Sequence, residues 1–117
     1  MATNSQIAFS PLGETVAITA NVTAPNGVQA PVSERNKAKS PGQYRVINAG
    51  TAIVHLGVGP TVATAKANAV ASVSGNPGPG IPLLPGAVEI LRFNGETYFS
   101  GAAASAQTIY ITPGQGI

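Results

Sequence analysis

The chain has 117 residues and a mass of 11.6 kDa, a length that suits one domain with a genuine hydrophobic core. Hydrophobic residues make up 44% and charged residues only 9%, which excludes the low-hydropathy, high-charge composition of a disordered chain. Six Lys/Arg against four Glu give a formal charge of +2, so the high isoelectric point reflects scarce acids, not the dense positive charge of a nucleic-acid binder.

Cysteine is absent, which removes disulfides, thiolate metal ligation and thiol nucleophiles from consideration. The apolar runs are only a few residues long, and the opening MATNSQ carries no basic lead, so neither a membrane span nor a secretory core is expected.

Taken in order, residues 5–9 read as a short extended segment ending at Pro11-Leu12-Gly13, and residues 1–10 as an N-terminal arm able to reach a neighbouring subunit. Residues 14–22 alternate, with Thr15, Ala17, Thr19 and Asn21 on one side and Val16, Ile18, Ala20 and Val22 on the other. That period of two marks a half-buried strand. Asn26-Gly27 supplies a tight turn, and residues 28–32 form an edge strand because Pro31 cannot donate to a central ladder. Residues 33–42 are polar and aperiodic, a surface loop.

Residues 43–49 and 51–59, split by Gly50, read as a hairpin. In its second arm Ile53, His55 and Gly57 share one face. Residues 61–73 fit two periods: their alanines favour a helix, while Thr, Val and the absence of a capping box favour extended chain, which is the preferred reading. Residues 74–86 hold four prolines and four glycines and form a second surface loop that no ladder crosses. Residues 87–93 and 96–100 flank Asn94-Gly95, the strongest hairpin signal in the chain, and residues 107–112 make the last strand. About eight short strands in one domain spanning 1–117 predict an all-β fold, a single antiparallel β-sandwich.

The side chains that could serve as an acid or base near neutrality are Glu14, Glu34, Glu89, Glu96 and His55. Glu89 and Glu96 fall on opposite arms of the expected Asn94-Gly95 hairpin, where paired carboxylates could do glycosidase chemistry. Arg92 stands close enough to neutralise one of them, and solvated hairpin charges are the simpler reading. His55 has no second His or Cys to share a metal, and no Gly-x-Ser-x-Gly elbow supplies a nucleophile. The expectation is a non-enzyme with no catalytic, metal or cofactor residues. Arg35, Lys37, Lys39 and Arg45 lie within eleven residues, either as solvating cations or as a docking loop for an acidic protein surface. Strand faces rich in Thr, Ala and Val solvate poorly and suit a chain packed against copies of itself or a lattice.

Three stretches carry a resemblance to small virion proteins of tailed bacteriophages. Tyr44-Arg45-Val46-Ile47-Asn48-Ala49-Gly50-Thr51-Ala52 resembles that family's strand, Asn-x-Gly-Thr-Ala, strand pattern. Leu83-Leu84-Pro85-Gly86-Ala87-Val88-Glu89 is similar to its proline-bearing entry into the next strand. Thr108-Ile109-Tyr110-Ile111-Thr112-Pro113-Gly114-Gln115-Gly116 is similar to its C-terminal ending. The Ala-rich segment 61–73 and the Pro-Gly loop after it depart from the pattern. The resemblance implies a jelly-roll-like sandwich on the capsid exterior, made in the host cytoplasm, that decorates and cements the shell. Its expected partners are the major capsid protein and further copies of itself, as a dimer or trimer, without nucleic acid or membrane. Arg35, Lys37 and Lys39 are the expected capsid-docking residues. A tail- or fibre-associated module, or a carbohydrate-binding sandwich, is the alternative; the latter is disfavoured by the lack of Trp.

Overall fold

A computed structural model describes residues 9–36, 42–93 and 97–115. Among these, eight strands form: β1 (Ser10–Pro11), β2 (Val16–Ala20), β3 (Gln43–Asn48), β4 (Val54–Gly59), β5 (Ile81–Leu83), β6 (Val88–Arg92), β7 (Tyr98–Ala103) and β8 (Gln107–Gln115). One helix, α1 (Val62–Asn68), and a 3-10 turn, Glu34–Asn36, complete the described elements. The first sheet, A, runs in the order β1-β8-β3-β6, with β2 continuing β1 along the same edge of β8. The second, B, runs β5-β4-β7, and every strand pairing is antiparallel.

The two sheets face each other as a β-sandwich. Alternation along each strand sends Ile18, Val46, Ile109 and Ile111 of sheet A against Val54, Leu56, Leu83 and Phe99 of sheet B. Tyr44, Phe93 and Phe99 close one end of this core, Tyr44 and Phe99 meeting edge-on at 4.9 Å between centroids. Burial pushes the Tyr44 phenol above its ordinary value, and its hydrogen bond with Thr97 offsets part of that rise.

The winding is that of a jelly roll. Backbone bonds join Val28 to Phe99 in both directions, so residue 28 stands where a strand beside β7 belongs. Counting it, the chain pairs its first strand position with its last (β2 with β8), the second with the seventh, β3 with β6 and β4 with β5. This is a long hairpin rolled into two sheets.

That winding corrects four expectations. Residues 43–49 and 51–59 are not a hairpin, because β3 lies in sheet A and β4 in sheet B. Residues 87–93 and 96–100 are not one either, since β6 pairs with β3 while β7 pairs with β4; the Asn94-Gly95 turn itself falls outside the described residues. Within 74–86 the chain makes a ladder after all, with β5 pairing along β4; Pro82 is tolerated because β5 is an edge strand. Of 28–32, the structure keeps only the Val28 bridge.

A fifth correction is 61–73, which begins as a helix. Thr61 caps it, its Oγ1 accepting from the Thr64 N–H at 3.1 Å, while the Thr61 and Thr64 hydroxyls meet at 2.8 Å. The sheet beneath selects helix over strand. Ala65 and Ala69, one turn apart, sit against Gly57 and Gly59 of β4, and a Cβ at Gly57 would collide with the Ala65 carbonyl. A lane without side chains admits a helix lying close by its alanine face.

The reversal from sheet A to sheet B after β3 rests on Asn48, which is fully buried. Its Oδ1 accepts from the Gly50 N–H at 3.0 Å, and its Nδ2 donates to the Ala52 and Leu83 carbonyls at 2.9 Å each. The Gln107 Oε1 accepts from the Thr51 N–H at 2.8 Å, and any Cβ at residue 50 would collide with that Gln107 side chain. Replacing Asn48 by Leu strips the partners from these buried groups and is expected to lower stability by about 2–4 kcal/mol. Urea denaturation checks this; a loss below about 1 kcal/mol would contradict the corner role.

Candidate functional site

The titratable side chains do not converge. Glu14, Glu34 and Glu89 are exposed at separate places: before β2, on the 3-10 turn and on edge strand β6. Glu96 lies outside the described residues, and the two arms expected to bring it to Glu89 run in different sheets. Among the described residues, no three of His, Asp, Glu and Cys come close enough to hold a metal ion, and no helix is long and apolar enough to cross a membrane.

His55 sits on β4, half-buried, paired with Pro82 on one side and Ala102 on the other. It borders an apolar groove of about 420 Å³ lined by Val22, Ile53, Ala71, Ala102 and Ala104. Its Nδ1 is buried with no hydrogen-bond partner. Among the described residues that line the groove there is no acid and no nucleophile.

Arg35 is exposed on the 3-10 turn. That turn is fastened to the sandwich: the Ser33 N–H donates to the Leu12 carbonyl at 2.8 Å, and Asn36 Nδ2 donates to the same carbonyl at 3.1 Å. The described base of this polar segment, Ser33 and Asn36, is thereby held to the sandwich. Lys37 and Lys39 lie outside the described residues. Arg45, the fourth cation of the cluster, sits on β3 and stacks under the Phe9 ring, its guanidinium carbon 5.3 Å from the centroid.

The feature that the chemistry-bearing residues did not announce is the outer face of sheet A. The strand registers place Ala17, Tyr110, Ile47 and Val88 in one row across four strands. Thr19 and Thr108 sit opposite one another in the next row. Val88 is 57% exposed and Tyr110 39% exposed. No carboxylate sits in these rows, and the face's cations, Arg45 and Arg92, fall toward its other end. On sheet B, α1 and the backbone around Val70 and Gly80 cover part of the outer face, and the groove beside His55 and Ala102 lies on the rest. The signal was present in the alternation of 107–112, where Tyr110 falls opposite the core-facing Ile109 and Ile111.

An imidazole nitrogen buried without a partner lowers stability, so His55→Leu is expected to leave the melting temperature unchanged or raise it by a few degrees. Differential scanning calorimetry checks this, and a fall of more than about 5 °C would give His55 a structural bond that the geometry lacks.

Comparison with protein-family models, with curated proteins and with solved structures finds no match to this chain.

Proposed function

We propose that this chain is a capsid decoration protein of a tailed bacteriophage, which binds the outside of the shell and cements neighbouring subunits of the major capsid protein. The observation that carries the reading is the uncharged Ala17–Tyr110–Ile47–Val88 row on the outer face of sheet A, in which Tyr110 and Val88 are exposed. A solvated surface of a small domain normally carries about 25–35% charged residues, and this chain as a whole has 9%. A face built from Ala, Thr, Ile, Val and Tyr gives up little hydration when covered, whereas burying charges would oppose docking.

The resemblance of residues 44–52, 83–89 and 108–116 to virion proteins supports the same reading. These are the corner after β3, the entry into β6 and strand β8, so the resembling stretches fall on the parts that set the sheet-to-sheet winding. A cement protein needs no pocket. It needs a rigid body that buries modest surfaces on several neighbours at once, so that individually weak contacts add.

Arg35, Lys37 and Lys39 serve as the electrostatic contact to an acidic patch on the shell, which speeds encounter and fixes orientation. Changing all three to Glu is expected to abolish co-sedimentation with particles lacking this protein, with a melting temperature within about 2 °C of the parent. Wild-type binding should weaken as salt is raised. Undiminished binding by the triple variant would remove these residues from the interface.

A further inference from the structure

We propose that β6 is a self-association edge, pairing antiparallel with β6 of a second copy across a two-fold axis at Ile90. The proposal stands apart from what the chain docks onto.

Among the described residues the two sheets have four edges, and three of them are blunted. The β7 edge is occupied by Val28 and Asn21, whose backbones bond to Phe99 and Ala103. The β5 edge is three residues long with Pro82 at its centre. The edge formed by β1 and β2 is broken between Pro11 and Val16; Pro31, Val32 and Ser33 border its break, and it leaves the sheet at Asn21. Edge β6 has no proline, no bulge and no described segment alongside it.

The hydrogen-bonding phase of β6 is fixed by its ends. The Phe93 N–H donates to the Gly42 carbonyl at 2.7 Å, and the Asn48 N–H donates to the Ala87 carbonyl at 3.0 Å. Antiparallel bonding alternates, so the residues turned toward β3 are 87, 89, 91 and 93. The N–H and C=O groups of Val88, Ile90 and Arg92 therefore point out of the sheet. These are unpaired strand groups beside an apolar side chain that is 57% exposed at Val88.

A second copy matches this pattern with itself. Outward groups must meet outward groups, which restricts the register to residue pairs of equal parity. Only the register centred on Ile90 overlaps all five residues of the strand. It sets Val88 opposite the partner's Arg92, whose aliphatic stem covers it, and Glu89 opposite the partner's Leu91. The register shifted by one step toward the N-terminus would instead oppose Glu89 to its own twin. With a formal charge of only +2, two copies repel little.

Sedimentation velocity of the full chain tests the proposal. Because a five-residue edge buries much less than the roughly 1,200–2,000 Å² of a standard interface, the expected behaviour is a monomer–dimer equilibrium between about 10 and 500 µM. Ile90→Pro deletes an outward N–H without touching the β3 ladder, and is expected to weaken association by roughly tenfold or more. Should that variant fail to fold, Ile90→Lys decides, since it keeps the backbone and sets two cations on the axis. Amide exchange at Val88, Ile90 and Arg92 should slow with rising concentration in the parent and not in the variants. A chain monomeric throughout, a trimer, or association unchanged in the folded variant would each overturn the proposal. A monomeric chain that still binds particles would overturn it while leaving the docking reading intact.

Discussion

The architecture depends on one buried side chain carrying the chain from one sheet to the other. At Asn48 the backbone must stop pairing in sheet A and start pairing in sheet B, and during that turn its amide and carbonyl groups lose their ladder partners. The Asn48 carboxamide supplies both an acceptor for the Gly50 N–H and a donor for the Ala52 and Leu83 carbonyls. Its own backbone bonds Ala87 and Gly86, which holds the entry to β6 at the same point. Gln107, at the start of β8, completes the corner through Thr51 and Ser105. One residue thus ties β3, β5 and the approaches to β4 and β6, and Gln107 adds β8. An apolar substitute of similar size would satisfy packing and none of the bonding.

The rolled winding then decides which surfaces remain. In sheet B the outer face carries a glycine lane, Gly57 and Gly59, that α1 covers with its alanines. On sheet A, among the described residues, Phe9 lies over Arg45 and Gly114 at one end, and Val88 and Tyr110 of the Ala17–Tyr110–Ile47–Val88 row are exposed. The proposed decoration role uses the Ala17–Tyr110–Ile47–Val88 row, which carries no charge.

The sequence made the strands legible and the pairing illegible, for a physical reason. Period-two alternation is a local property, and it put Ile18 on one side of its strand with Val16 and Ala20, the side the structure turns toward the core. Which strand lies beside which depends on side-chain bonds between residues far apart, such as Asn48 to Leu83 and Gln107 to Thr51. The Gly50 and Asn94-Gly95 signals therefore looked like hairpins although the strands on either side of each lie in different sheets. The helix at 62–68 was hidden for a related reason: its alanines favour helix but fit a period of two as well, and Gly57 and Gly59, just before it on β4, tip the balance. At the candidate site, the sequence showed His55 to be the one histidine, whereas where the glutamates stand depended on strand pairing and was not legible. The exposed row was not, because Ala17, Ile47, Tyr110 and Val88 become neighbours only through register.

Decoration of a shell is, on this account, the work of a surface and not of a pocket, and it makes a stoichiometric demand. A cement protein acts wherever shell subunits meet, so its abundance must follow that of the shell. The most direct measurement is quantitative mass spectrometry of purified particles from the source, ratioed against the major capsid protein. The account predicts an amount comparable to the shell protein's, lost together with particle stability when the chain is removed. A few copies per particle would move the protein to the tail or portal, and absence from particles would contradict the decoration role altogether.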